Sequence, residues 1–169
     1  MDRRVLVAYA SKHGATAEIA KRIGEVLRKA GLSADVLPAE RATNLVPYGA
    51  IILGSAIYIG RWRREATNFL ETNEQALAKR KVWLFSSGPT GEGDPVELVD
   101  GRKIPEAVQP AVNRIQPQDV AIFHGVLDPN ELNFVERWMV KRADQPTGDF
   151  RNWDDITAWA TAIAEVLQE

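Results

Sequence analysis

The chain contains no cysteine and only two histidines among its 169 residues. It therefore has no disulfide framework, thiolate metal site or cysteine nucleophile, and two separated histidines lack metal-ligand spacing, so no metal site is predicted. Lys and Arg (21) nearly balance Asp and Glu (23), which leaves a net charge of −2 and no basic excess for nucleic-acid binding. No apolar run is long enough for a transmembrane segment, and the N-terminus shows no signal-peptide cleavage pattern. These absences predict a soluble, cytoplasmic protein.

Apolar segments with strand character alternate with segments of helical periodicity. The strands are predicted at residues 5–10, 33–37, 48–54, 81–86 and 119–124. Helices are predicted after the first strand and over residues 62–78, 105–115 and 153–167, with Asn152 capping the last. This alternation indicates an α/β fold, a doubly wound, five-stranded parallel sheet in the order 2-1-3-4-5. We predict a single domain over residues 1–169.

A segment of about residues 126–150, here called the insert, is too long for an ordinary loop between the fifth strand and the last helix. Within it, residues 131–142 have helical periodicity, and the helix combines apolar with basic residues: Phe134, Val135, Trp138, Met139, Arg137, Lys141 and Arg142. The apolar stripe could pack on the domain. It could also hold a hydrophobic substrate such as a porphyrin or quinone, or contact an anionic membrane surface.

The first strand is followed by a polar loop, residues 11–16, which we call the first loop. Ser11 and Thr16 carry hydroxyl groups, Gly14 allows close backbone approach, and Lys12 or His13 adds positive charge. Because the next helix begins here, its free amides and dipole favour an anion such as phosphate. The alternative is a helix-capping turn without a ligand. The sequence matches neither the Walker loop nor the dinucleotide fingerprint.

Two further loops follow the third and fourth strands, the second loop (residues 54–62) and the third loop (residues 86–94). In this sheet order they lie beside the first loop, where ligands bind. Tyr58 offers a stacking surface for a planar ring, and Trp62 either does the same or covers its own domain. The loops together predict a ligand that has both a phosphate and a flat heterocycle, and FMN is such a ligand. The predicted cofactor-binding residues are Ser11, Lys12, His13, Gly14, Ala15, Thr16, Ser55, Ala56, Ile57, Tyr58, Ile59, Gly60, Trp62, Ser86, Ser87, Gly88, Pro89, Thr90, Gly91, Gly93 and Asp94.

The segment VLVAYASKHGAT resembles the first strand and phosphate loop of the flavodoxin-like family. Shorter segments resemble one branch of that family, the menaquinone-dependent protoporphyrinogen dehydrogenases: ILGSAIYIGRW, FHG, NFVERWMVKR and PTGDFRNWDDI. The resemblance implies FMN as cofactor and an oxidoreductase that passes electrons from a porphyrinogen to a quinone. It also implies a cytoplasmic protein that can lie peripherally on the inner face of the membrane.

Other features depart from these families. His13 replaces a hydroxyl residue of many flavodoxins, and the insert is less basic than is usual in the branch. Arg61 lies near the end of the second loop, and Arg63 and Arg64 follow it. These arginines either raise the flavin potential or form a solvated helix start. The alternatives are therefore an electron-transfer protein that docks to a redox partner protein, and a non-redox module that binds a phosphorylated ligand. No side chain is predicted to be a catalytic acid or base.

Overall fold

A computed structural model describes residues 4–169, and five parallel strands form its main sheet. They are β1 (Arg4–Ala10), β2 (Ala34–Pro38), β3 (Tyr48–Tyr58), β5 (Lys81–Ser87) and β6 (Asp119–Phe123), and a short strand, β4 (Arg61–Trp62), pairs antiparallel with the end of β3. The order β2-β1-β3-β5-β6 confirms the predicted order of five parallel strands.

Helices cover both faces of the sheet, because successive residues of each buried strand point to opposite sides. In β1, Val5 and Val7 belong to one apolar cluster, and Leu6 and Ala8 belong to the other. The first cluster is completed by α1 (Ala15–Lys29) and α7 (Trp153–Leu167), and the second by α2 (Arg64–Thr72), α3 (Glu74–Ala78) and α5 (Gln109–Ile115). Between residues 4 and 169, no helix is both long and apolar enough to span a membrane.

Residues 54–62, predicted as the second loop, are mostly in strands in the structure. Strand β3 continues beyond residue 54 to Tyr58, and residues 57–62 form a hairpin with Ile59 and Gly60 at its turn, both with positive φ. The helix predicted over residues 62–78 is wrong as a single helix. Trp62 lies in β4, and the helix is interrupted at Asn73, whose side-chain amide donates to the carbonyl of Phe69 (2.9 Å). A side chain that bonds to the backbone in this way ends a helix locally.

The start of α5 differs from its prediction, and the start of α7 agrees with it. The helix predicted over residues 105–115 begins only at Gln109, with Pro110 in its first turn where proline is tolerated, and Glu106–Val108 form a 3₁₀ turn before it. The Asn152 side chain accepts hydrogen bonds from the backbone N–H groups of Asp154 and Asp155, which confirms it as the cap of α7. A short helix, α4 (Pro95–Leu98), was not predicted, because four residues are too few to show a helical period.

The insert is closed at its base by a small ribbon. Strand β7 (Val126–Leu127) pairs antiparallel with β8 (Gly148–Asp149), and α6 (Phe134–Arg142) lies between them. The α6 helix is shorter than the predicted 131–142. The preceding residues form a 3₁₀ turn, and Asn133 caps the helix. Arg151, just after the ribbon, donates to Glu18 of α1 (3.1 Å) and to the carbonyl of Ala15 (3.3 Å). The insert is thereby attached beside the start of α1.

Candidate functional site

The first loop has the geometry of an anion site at a helix N-terminus. Gly14 is the N-cap residue of α1 and has φ +91°, a left-handed conformation that glycine adopts without strain. Its backbone N–H donates to the Ser11 hydroxyl oxygen (3.0 Å). Because glycine has no side chain, no side-chain cap occupies the first turn of α1. The amides and dipole at this end of α1 therefore favour a negatively charged group.

Thr16 joins the first loop to the third loop. Its side chain is buried, and its hydroxyl oxygen lies 2.8 Å from that of Ser87 at the end of β5. A hydroxyl group can both donate and accept, so each of these side chains keeps further hydrogen-bonding capacity. The pair fixes the start of α1 against the edge of the sheet where β1, β3 and β5 end.

A cavity of about 570 Å³ lies at this edge, a volume typical of small-molecule sites. The three loops line it together, as the sheet order predicts. The predicted cofactor-binding residues along its wall are Ser11, Lys12, His13, Ala15, Thr16, Ala56, Ile57, Tyr58, Ile59, Gly60, Ser87, Gly88, Pro89 and Thr90.

The other predicted cofactor-binding residues lie outside the cavity lining: Gly14, Ser55, Trp62, Ser86, Gly91, Gly93 and Asp94. Trp62 is buried, and its indole N–H donates to the Ser86 hydroxyl (2.8 Å). The Ser55 hydroxyl oxygen accepts from the backbone of Arg63, and Asp94 caps α4. The structure thus gives Trp62 the alternative role, covering its own domain, and cofactor contacts for this group stay predictions.

One side of the cavity is shaped by two glycines that approach each other closely. The backbone N–H of Gly88 donates to the carbonyl of Phe123 (3.2 Å), and that of Gly125 donates to the carbonyl of Pro89 (2.9 Å). A Cβ atom on Gly125 would lie 2.9 Å from the Cα of Gly88, which is too close for any other residue. This approach fixes the path of the third loop along the cavity.

The insert contributes one wall of the cavity, and of the helix residues singled out from the sequence only Met139 belongs to it. Its cavity-lining residues are Val126, Leu127, Leu132, Glu136, Met139, Val140, Ala143, Gln145 and Pro146, and Leu98, Val99 and Gly125 complete the lining. Glu136, Met139 and Val140 lie on one face of α6, because Met139 and Val140 follow Glu136 by three and four positions, and Leu132 and Ala143 flank the helix. The same spacing is present in the sequence, but the predicted contact stripe was the more apolar set, Phe134, Val135, Trp138 and Met139.

Glu136 of α6 contacts two residues of the first loop inside this wall. Its carboxylate accepts a hydrogen bond from the Lys12 ammonium (2.7 Å), and the His13 Nε2 atom lies 3.9 Å from the same oxygen. The Glu136 side chain is only 5% exposed. The hydrogen bond from Lys12 lowers the Glu136 pKa to about 2, against the opposing effect of burial. The same hydrogen bond raises the Lys12 pKa.

The Lys12 ammonium also lies 4.2 Å from the centroid of the Tyr58 ring, a cation–π contact. This contact covers one face of the ring, so stacking of FMN on Tyr58 stays a prediction for the other face. The first loop, the second-loop hairpin and α6 are therefore joined through Lys12, Tyr58 and Glu136.

The opposite face of α6 is exposed, and the packing interpretation of its apolar stripe is wrong for three of the four residues. Phe134 is 85% exposed, Val135 61% and Trp138 55%, whereas Met139 faces the cavity. The Arg142 guanidinium lies 5.2 Å from the Trp138 ring centroid. The physical reason is that Glu136, Met139 and Val140 share the inward face, which turns the larger apolar side chains outward.

Neither Arg61 of the second loop nor Arg63 and Arg64 after it line the cavity. Arg61 and Arg64 are exposed, and Arg63 lies 3.7 Å from the carboxylate of Glu65. Their position agrees with the alternative of a solvated helix start. Lys12 is a cation that the fold places in the cavity wall next to the predicted phosphate position.

The family model described as flavodoxin domain matches residues 6–154. Among solved structures, a flavodoxin from the domain Archaea is 16% identical, with a TM-score of 0.62 and coverage of 98% of this chain and 99% of that one. Oxidised flavodoxin 2 from Bacillus cereus is 23% identical, with a TM-score of 0.59 and coverage of 98% and 97%. Rubredoxin oxygen:oxidoreductase from Desulfovibrio gigas is 14% identical (TM-score 0.63), and this chain covers 36% of it. No curated protein sequence matches the chain.

These structural similarities confirm the flavodoxin-like fold. The family match supports FMN as the cofactor.

Proposed function

Because the chain belongs to the flavodoxin domain family, we propose that it is an FMN-dependent oxidoreductase that passes electrons to a quinone, with a porphyrinogen as hydrogen donor. The observation that carries this proposal is the wall that the insert adds to the cavity. Its inward side chains Leu132, Met139 and Val140 are apolar. An apolar wall suits a largely apolar, poorly soluble substrate, and it keeps water from the reacting groups.

The residues of the cavity fit FMN by their chemistry. The amides at the start of α1, with the hydroxyl groups of Ser11 and Thr16, suit the phosphate. The second-loop hairpin offers the Tyr58 ring for stacking, and the backbone of residues 88–90 offers polar groups for the edge of the ring. FMN, when bound, supplies the electron-accepting and electron-donating ring, and the protein binds, orients and shields it.

A second candidate function is electron transfer without a small-molecule substrate. It is supported by the exposed face of α6, where Phe134, Val135 and Trp138 form an apolar surface near the cavity. Such a surface suits docking of a redox partner protein. Under the first proposal, the same surface makes peripheral contact with the membrane that contains the quinone. Sedimentation with lipid vesicles distinguishes these uses, because only the first predicts that the protein sediments with vesicles.

The test of the proposal begins with the cofactor. We expect the purified protein to be yellow, or to become yellow and lose free-FMN fluorescence when FMN is added. The FMN-loaded protein should then oxidise a porphyrinogen under anaerobic conditions when a menaquinone analogue is present. A colourless protein that does not bind FMN would contradict both redox functions and favour the non-redox module that binds a phosphorylated ligand. A loaded protein that is inert in this assay, yet is reduced by a flavodoxin reductase, would favour the electron carrier.

A further inference from the structure

Glu136 places a buried negative charge beside the position that the proposed function gives to a phosphate. Its carboxylate, Lys12 and His13 all line the cavity, and Lys12 and His13 belong to the first loop. One carboxylate oxygen accepts from Lys12 (2.7 Å), and the other accepts from the backbone N–H of Asn133 (3.3 Å). The positive charge that the first loop brings to the cavity is therefore already paired with a group of the protein itself.

We propose that Glu136 is a specificity-determining residue that limits the preference of the first loop for phosphorylated over unphosphorylated ligands, because it neutralises Lys12. The inference rests on the proposed function, since it assigns the phosphate of FMN to the first loop. With Lys12 paired, attraction for the phosphate comes from the α1 amides and the hydroxyl groups. A carboxylate near a dianion also repels it, and this repulsion is strong where the carboxylate is shielded from water.

The substitution Glu136→Gln separates charge from shape. Glutamine has the same length, and its carbonyl oxygen can accept the hydrogen bond from Asn133 that completes the capping box of α6. The substitution removes one negative charge and leaves Lys12, which is partly exposed, with an uncompensated positive charge. The position of α6 in the cavity wall should be retained.

The experiment compares the dissociation constants of FMN and riboflavin, which differ only by the phosphate. Their ratio, riboflavin over FMN, measures the contribution of the phosphate and cancels contacts to the ring. For the apoprotein titrated with each flavin, we expect Glu136→Gln to raise this ratio about fivefold, because one unit of like charge near the phosphate has been removed. Glu131→Gln, an exposed glutamate of the insert, is the matched control and should leave the ratio unchanged.

A charge cycle with Lys12 extends the test. Lys12→Gln should lower the ratio, and the double variant Lys12→Gln/Glu136→Gln should return it to about the wild-type value, because the pair is then neutral again. If Glu136→Gln does not fold, the comparison of Lys12→Gln with the double variant measures the same carboxylate charge. The ratio in the double variant should then exceed that in Lys12→Gln.

The outcomes separate the inference from the proposed function. If both flavins bind and the ratio is the same in wild type and Glu136→Gln, Glu136 only positions α6 and the inference is overturned. If the two affinities change by the same factor, the same conclusion holds. If neither flavin binds wild-type apoprotein, the proposed function fails and the inference fails with it.

Discussion

Replacing Glu136 with glutamine should make the stability of the protein less sensitive to acid. The Glu136 carboxyl has a folded-state pKa of about 2, against an ordinary value of 4.5, chiefly because Lys12 donates a hydrogen bond to it. A depressed pKa means that the folded state prefers the ionised carboxylate. The resulting stability is fully present above pH 4.5 and is lost as the pH falls toward 2.

The magnitude follows from the two pKa values. Between pH 7 and pH 3 the unfolded chain takes up a proton at this carboxyl, whereas the folded protein mostly does not, and full coupling would remove about 2 kcal/mol. Lys12 is 29% exposed, so solvent screens part of the interaction. We therefore expect the wild type to lose about 1–2 kcal/mol more stability than Glu136→Gln over this range.

Urea unfolding followed by tryptophan fluorescence at several pH values from 7 to 3 measures this difference. The exposed Glu131→Gln variant serves as control, and its stability should follow that of the wild type at every pH. A constant offset between wild type and Glu136→Gln, independent of pH, would refute the reasoning. It would show that Lys12 does not lower the pKa of the Glu136 carboxyl and that the substitution changes the free energy of unfolding through packing.

Three further predictions test the loops of the cavity. Replacing Ser11 and Thr16 together with alanine should weaken FMN binding at least about tenfold by titration and riboflavin binding much less, because two hydrogen bonds to a charged group are lost. Trp62→Phe removes the buried hydrogen bond to Ser86, so chemical unfolding should show a loss of about 1–2 kcal/mol, while titration finds FMN affinity unchanged. Gly14→Ala should lower the melting temperature, at a cost of about 1 kcal/mol or more, because φ +91° strains alanine although space is open around it.

Each prediction in that group has a result that contradicts it. Equal losses for FMN and riboflavin would mean that the hydroxyl groups do not contact the phosphate. Weaker FMN binding by Trp62→Phe would indicate that Trp62 contacts the cofactor. An unchanged melting temperature for Gly14→Ala would show that the turn relaxes to a conformation that alanine tolerates.

Local patterns were enough to predict the sheet and the start of the site. Continuous apolar runs identify strands buried on both faces, and the cap at Asn152 is specified by residues next to it in sequence. The first loop was predictable for the same reason, since Ser11, Gly14 and Thr16 lie within six positions of one another. The predicted boundary is wrong where it depends on a partner elsewhere in the chain, as at Trp62, whose indole N–H donates to the hydroxyl of Ser86, 24 positions away.

The order of strands and helices, and the loops that meet at one edge of the sheet, follow from residue patterns, because the periods of apolar residues and the turn residues are local properties. Which face of α6 turns inward depends on the folded arrangement of distant segments. Lys12 and Glu136 are 124 positions apart, and no local period relates them. Their pairing arises from the attachment of the insert beside α1, which buries a carboxylate at the cavity and exposes Phe134 and Trp138.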